Sequence, residues 1–319
     1  MRPDFWNINS AEEFEHEALE LFRFQAERCA PFGEYLSLIG CNPHSVLSLS
    51  DLRYMPIEFF KSCDLYCAQS EPQKIFTSSA TTGSIPSRHL MADLGLYEAA
   101  FVHGFERFYG SLEGLSIYGL LPSYLEREGS SLIYMVDKMI ELSAGGGFYL
   151  HDHERLLQNM AADPHPKLLL GVSYALLDLV ETYAPKLKNT VVMETGGMKG
   201  RREELSKEEL HKRLCEGFGV DKIHSEYGMA ELTSQAYSCG GNSFRTPKWM
   251  GITLRELSDP FAWVEGSGRG GINIIDLASR YSCAFIETQD VGRLLPDGSF
   301  SLEGRVERSE IRGCNLLID

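Results

Sequence analysis

Thr77-Ser-Ser-Ala-Thr-Thr-Gly83 gathers hydroxyl groups around a glycine. Small residues let backbone N–H groups approach phosphate oxygens, and the hydroxyls add further donors. No GxxxxGK[ST] pattern accompanies it, so this is not a Walker loop, and taken alone the segment reads first as a polar surface loop. Ser225-Glu-Tyr-Gly-Met-Ala-Glu231 offers an aromatic ring that can face a base, with a carboxylate further on that can hold magnesium through oxygen. Its plainer reading is a helix start with solvated glutamates. Thr288-Gln-Asp290 precedes a hairpin and Gly304-Arg-Val-Glu-Arg-Ser-Glu-Ile-Arg-Gly313. A carboxylate such as Asp290 can accept both hydroxyls of a ribose and Arg305 can pair with a phosphate oxygen, although either alone also fits a surface salt bridge.

The elements that must position these segments are legible as periodicities. Ser10 and Glu13 form a capping-box pattern ahead of Phe14, Ala18, Leu21 and Phe22, predicting an amphipathic helix. A second helical stretch ends near Gly40, with a turn at Cys41-Asn-Pro-His44. Leu94, Tyr97, Phe101, Phe105 and Phe108 predict a long helix behind the hydroxyl-rich loop. The unbroken apolar runs Leu115–Leu121, Leu132–Val136, Leu168–Val172 and Thr190–Met193 read as buried parallel strands. His151–Ala161 and Tyr174–Tyr183 suit crossover helices, and Ser206 with Glu209 opens another helix toward Gly217. Beyond about Gly240 short strands dominate, including Gly271–Asp276 and a hairpin over Arg293–Leu302 that turns at Pro-Asp-Gly. The predicted class is α/β: a parallel sheet covered by helices on both faces, with a smaller β-rich subdomain. The expected division is a helical lead-in at 1–74, a nucleotide-binding α/β subdomain at 75–240 and a β-rich subdomain with a short tail at 241–319.

Composition bounds the function. The 319 residues are 43% hydrophobic and 24% charged, as in ordinary globular proteins, and the net charge of −15 with no basic patch argues against nucleic acid as a partner. No run approaches the length of a membrane helix, and Met1-Arg-Pro-Asp-Phe-Trp6 lacks the apolar core of a signal peptide, so a cytoplasmic protein without membrane insertion is expected. The eight scattered cysteines suit reduced thiols. Cys63 and Cys67 lack companions at zinc-ligand spacing. His89, His151 and His153 have no matched partner and read as structural or surface histidines.

Taken in order, the serine-rich loop, Tyr-Gly-x-x-Glu, an aspartate before a hairpin, and Gly-Arg followed by Gly313 resemble the adenylate-forming superfamily of acyl-CoA synthetases, luciferases and adenylation domains. The resemblance spans Phe76 to Gly313. Within it the chain is most similar to the bacterial acyl-protein synthetases, the fatty-acid-activating component of the bioluminescence fatty acid reductase, through Met55-Pro-Ile-Glu-Phe-Phe-Lys61, Thr81-Thr-Gly-Ser84, Leu96-Tyr-Glu98, Gly146-Gly-Phe148 and Arg312-Gly-Cys314. The resemblance implies that ATP and Mg2+ are used to turn a carboxylic acid, expected to be a fatty acid, into an acyl-adenylate. The acyl group then passes to a thiol, either Cys314 or that of coenzyme A or a carrier protein, and an acyl-accepting reductase is an implied partner. It assigns Ser78, Ser79, Thr81, Thr82 and Gly83 to the phosphates, Gly196 and Gly197 to adenine, and Tyr227 and Gly228 to the base and carboxylate substrate. Glu231 is assigned to magnesium, Asp290 to ribose, and Arg305 to ribose or phosphate.

Ala80, Ala230 and Gln289 depart from that family's usual glycine, threonine and glycine, and Arg88 stands near the place of its loop-closing lysine. The chain stops at Asp319, shortly after Gly313, so the resemblance implies a large domain lacking the mobile C-terminal domain and its catalytic lysine. Loss of such a charge-stabilising group costs about 3–4 kcal/mol of barrier. Either Lys199 or a partner is the expected substitute, or the enzyme is slow. The alternatives are an acyl- or aryl-CoA ligase, a carrier-protein loading enzyme, and a nucleotide-binding scaffold without catalysis.

Overall fold

The computed structural model describes residues 5–78, 85–121, 129–196, 205–264 and 266–306. In chain order the elements are α1 (Ala11–Arg28), α2 (Ala30–Leu38), β1 (Met55–Pro56), α3 (Phe59–Ser62), β2 (Lys74–Thr77), β3 (Arg88–Met91), α4 (Leu94–Tyr109) and β4 (Ser116–Leu120). They continue with α5 (Ser131–Leu142), β5 (Gly145–Phe148), α6 (His153–Ala162), β6 (Lys167–Val172), α7 (Ser173–Tyr183), β7 (Thr190–Thr195), α8 (Lys207–Phe218) and β8 (His224–Tyr227). The last are β9 (Ala236–Ser238), β10 (Met250–Arg255), β11 (Arg269–Asp276), β12 (Phe285–Leu294) and β13 (Phe300–Arg305).

These elements form two compact units. The first takes Met1–Phe59, Leu65–Cys67 and Lys248–Asp319; the second takes Phe60–Asp64 and Ala68–Pro247. The N-terminal helices thus share a unit with the β-rich C-terminal segment, where the sequence suggests a separate lead-in at 1–74. Aromatic packing shows why. Phe22 of α1 and Phe32 of α2 meet Phe285 of β12 at ring separations of 5.1 and 6.2 Å. Buried Gln25 of α1 donates to the carbonyls of Ser279 and Arg280 and accepts from the Ala284 amide.

In this first unit the strand order is β1-β12-β11-β10, with β13 antiparallel to β12. The expected hairpin is present as β12 and β13, joined through the Pro-Asp-Gly turn. Ser10 caps α1 by accepting from the Glu13 amide at 3.1 Å, while the Glu13 carboxylate accepts from the amide of Asn9 at 2.7 Å. The reciprocal bond therefore lands one residue earlier than a standard capping box places it. Ser10→Ala is expected to lower stability by about 1 kcal/mol in urea unfolding, the usual cost of a lost N-cap.

The second unit is built on a six-stranded sheet ordered β5-β4-β6-β7-β8-β9, parallel except for β9. β4 and β6 are buried along their whole length, as the unbroken apolar runs predict. α4 begins at Asp93, which accepts from the Leu96 amide, and buries Tyr97, Phe101 and Phe105 before Gly110 ends it at φ +82°.

One expected strand is a helix. Leu132–Val136 lies inside α5, which Ser130 caps and which continues through buried Met139 to Leu142. A short apolar run does not distinguish strand from buried helix; the continuation at helical spacing does. The strand in this region is instead β5, Gly-Gly-Gly-Phe, which has almost no hydrophobic signal. Gly146 adopts φ +127° there, and a Cβ on it would lie 1.7 Å from the Ile117 carbonyl oxygen, so only glycine allows β5 this close to β4.

From β4 the chain forms β5 on one side, then crosses to form β6 on the other. Open parallel sheets bind ligands outside the carboxyl ends of their strands near such a reversal. Thr195-Gly196 and Tyr227-Gly228 stand at the carboxyl ends of β7 and β8.

Candidate active site

In the second unit, the β2–β3 hairpin carries the flanks of the hydroxyl-rich loop. Ser78 donates its amide to the Ser87 carbonyl at 3.1 Å, and its Oγ accepts from the Ser87 amide at 3.0 Å, so the two flanks are fastened to each other. Ser79, Thr81, Thr82 and Gly83 lie outside the described residues, as do Gly197, Lys199 and Cys314.

From the far flank, Ser87 and His89 point to the same side with strand periodicity and grip the Tyr227–Glu231 segment. Buried Ser87 donates its hydroxyl to Glu231 Oε1, a contact between residues 144 apart in sequence. The Nδ1 of His89 lies 2.8 Å from the Ala230 carbonyl oxygen, which can only accept, so Nδ1 carries the proton. Its Nε2 is buried with no partner among the described residues. Burial pushes the ring down to about 4 against the opposing hydrogen bond, so His89 is a neutral bolt at physiological pH. The structural reading of His89 agrees with this placement. Arg88, a possible phosphate ligand, has its Nη1 2.8 Å from Asp64 Oδ1.

At the carboxyl end of β7, the Gly196 carbonyl accepts from Ser173 Oγ at 2.8 Å, and Gly196 itself has φ +66°. Tyr227 is buried, its ring edge-on to Phe244 at 6.0 Å. A Cβ on Gly228 would come within 2.3 Å of Glu226 Oε1.

Two titratable groups here were not singled out from the sequence. Glu226, buried on β8, accepts from the Thr195 hydroxyl. Burial pushes it up to about 7, against the Thr195 hydrogen bond and aided by the nearby Glu194 charge. Glu194 on β7 is the opposite case. Burial would raise it, but hydrogen bonding from His211 and the charge of Lys207, whose Nζ is 3.0 Å away, bring it down to about 2. Strand alternation carried the missing signal: on β8, Ser225 meets His211 of α8 while His224 meets Tyr109 of α4, so Glu226 must share the α4 side with His224.

In the first unit, Asp290 and Arg305 are direct cross-strand neighbours, with Arg305 Nε donating to Asp290 Oδ1 at 2.9 Å. Arg305 is largely exposed, so this ion pair contributes little to stability and leaves the guanidinium available to an anion. Asp290 is held by its backbone: its amide donates to Thr288 Oγ1 at 3.1 Å, and that hydroxyl donates to the Ile272 carbonyl at 2.7 Å. Buried Arg255 secures the same stretch, donating to the carbonyls of Thr288 (2.6 Å) and Ile272 (3.2 Å) and to Asn273 Oδ1 (3.0 Å), with Nε 3.3 Å from Glu287.

Among solved structures, 2-hydroxyisobutyryl-CoA ligase in its postadenylation state, bound to an acyl-AMP, is similar over 92% of this chain and 67% of that one, with a TM-score of 0.72 and 14% identity. The open conformation of that ligase, with 2-HIB-AMP and CoA, matches 97% of this chain and 82% of its own at a TM-score of 0.69 and 13% identity. ATP-bound MatB from Rhodopseudomonas palustris matches 72% of this chain and 47% of its own at a TM-score of 0.54 and 13% identity. The chain shares its fold with adenylate-forming enzymes. No protein-family model and no curated protein sequence matches it. At these identities the likeness is one of fold, and it agrees with the α/β architecture expected from the sequence. No helix among the described residues is long and apolar enough to cross a membrane. No disulfide joins the described cysteines, Cys29, Cys41, Cys63, Cys67, Cys215, Cys239 and Cys283.

Proposed function

We propose that this protein activates a carboxylic acid with ATP and transfers the acyl group to a thiol. The observation that supports this most directly is the double fastening of Ser87 to Glu231 and His89 to Ala230. It holds the flank of the hydroxyl-rich loop against the Tyr-Gly-x-x-Glu segment, on a fold shared with a CoA ligase bound to an acyl-AMP and with ATP-bound MatB. In the proposed reaction the substrate carboxylate attacks the α-phosphorus, and the bond to the leaving pyrophosphate breaks. A thiolate then attacks the acyl carbon of the mixed anhydride, and AMP departs. The protein's share is positioning and charge neutralisation.

Among the described residues no group of three or more His, Cys, Asp or Glu is placed to hold a metal alone. Magnesium is commonly held by one or two carboxylates together with substrate phosphates, and the buried, hydrogen-bonded Glu231 suits that mode. When bound it would neutralise phosphate charge. Ser78, Ser79, Thr81, Thr82 and Gly83 would meet the phosphates, Gly196 and Gly197 the adenine, Tyr227 and Gly228 the base and the carboxylate substrate, Asp290 the ribose, and Arg305 the ribose or a phosphate. Lys199 is the proposed cation for the developing charge, a fatty acid the substrate, Cys314 the first acyl acceptor, and the cytoplasm the setting. An acyl-accepting reductase, a carrier protein or coenzyme A would then take the product.

Intact mass after incubation with magnesium ATP and a mixture of short, medium, long and aromatic acids tests this. The expected result is a hydroxylamine-labile acyl adduct that is absent from Cys314→Ala. Acid-dependent pyrophosphate release without an adduct would move the acceptor to coenzyme A or a carrier protein. ATP binding with neither signal would overturn catalysis in favour of a nucleotide-binding scaffold.

A further inference from the structure

Glu226 stands between the two strand ends to which the proposed reaction assigns its base and its acid. Its carboxylate accepts from Thr195, the last residue of β7 and the neighbour of Gly196. Its other oxygen lies against the backbone of Gly228, where a Cβ would come within 2.3 Å. A side chain at position 228 would therefore have to displace the Glu226 carboxylate. Among the described residues, the titratable groups around this carboxylate are Glu194 on β7, Tyr97 on α4 and Tyr237 on β9, the last paired directly with Glu226 across the strands. None is a cation, and the buried Tyr237 hydroxyl has no partner among the described residues. Among the described residues, Glu226 is thus an acid buried without a countercharge.

We propose that Glu226 is a positioning residue: hydrogen-bonded to Thr195 and packed on Gly228, it locks the end of β7 to the Tyr227-Gly228 turn, and its protonated form is the one that accepts an anionic ligand. The proposal rests on the adenylation reading for the identity of that ligand, and on the geometry alone for the lock. Burial keeps much of the acid protonated up to about pH 7. Above that a negative charge develops beside strand ends meant for a nucleotide and a carboxylate, and like charge opposes both.

Calorimetric titration of the full chain with magnesium ATP between about pH 6 and about pH 8, together with hydrogen exchange of peptides covering Thr195 and Gly228, provides the test. The wild-type dissociation constant is expected to rise about tenfold across that range, as it must when only a form titrating near neutrality binds. Glu226→Gln, the isostere of the protonated acid, is expected to lose that slope and keep both peptides protected. Glu226→Ala is expected to expose both peptides together and weaken ATP binding at either pH. A slope in Glu226→Gln equal to the wild type, or unchanged protection in Glu226→Ala, would overturn the proposal. Should the wild type bind no nucleotide at any pH, the adenylation reading fails, and the exchange data still decide the lock because they require no ligand.

Discussion

Glu231→Gln is expected to reduce acid-dependent pyrophosphate release by roughly two orders of magnitude, about 2.7 kcal/mol of transition-state stabilisation, in the range seen for removal of one preorganised charge-stabilising group. The amide keeps an oxygen for the Ser87 hydroxyl to donate to, so the fastening of the loop flank survives while the charge is lost. Glu231→Ala removes both and should also loosen the hairpin. A magnesium titration separates the effects. If the carboxylate holds the metal, the glutamine variant needs more magnesium for half-maximal rate; if Glu231 only anchors Ser87, the glutamine variant retains wild-type rates and the alanine variant alone fails. Full activity of Glu231→Gln at low magnesium would remove Glu231 from the metal role.

Arg255→Met should be the most destabilising of the substitutions considered, costing about 3–5 kcal/mol, the range for breaking a buried ion pair by deleting one partner. The guanidinium serves the carbonyls of Ile272 and Thr288, Asn273 Oδ1 and the Glu287 carboxylate, and methionine replaces its volume but none of its donors. Glu287 is already raised, by burial first, with Arg255 opposing and Glu58 adding to the rise. Without Arg255 it rises further. A group whose folded pKa is raised stabilises fully below its unfolded value and loses that contribution as pH climbs through the folded value. The deficit of Arg255→Met should therefore be smaller near about pH 5 than near about pH 8 in urea unfolding, and the added change Glu287→Gln should restore part of it. A deficit independent of pH would mean that the loss is one of hydrogen bonds to carbonyls alone. The consequence reaches the candidate site because Thr288, whose carbonyl Arg255 holds, supplies the hydroxyl that fixes the Asp290 amide.

Much of this architecture is written locally. α4, α7 and α8 follow from apolar spacing and from caps at Asp93 and Ser206, and β4, β6 and β7 from short apolar runs buried on both faces. These signals are local because a turn of helix or a pleat of strand involves only near neighbours in sequence. The same locality explains the failures. Leu132–Val136 is ambiguous until α5 is seen to continue, and Gly145–Phe148 makes a strand only because β4 offers a carbonyl ridge that a side chain could not approach.

By itself, then, the sequence determined the α/β class, most of the elements around the site, and the order of the segments proposed to meet a nucleotide. Only the tertiary structure decided that Ser87 and His89 grip the Tyr-Gly-x-x-Glu segment, that Arg255 underpins Asp290, and that Glu194 is a paired anion while burial raises Glu226 to about 7. The reason is physical. Hydrogen-bond partners distant in the chain, and the desolvation that sets a carboxylate's charge, arise from which surfaces pack together, and one-dimensional spacing carries no record of that.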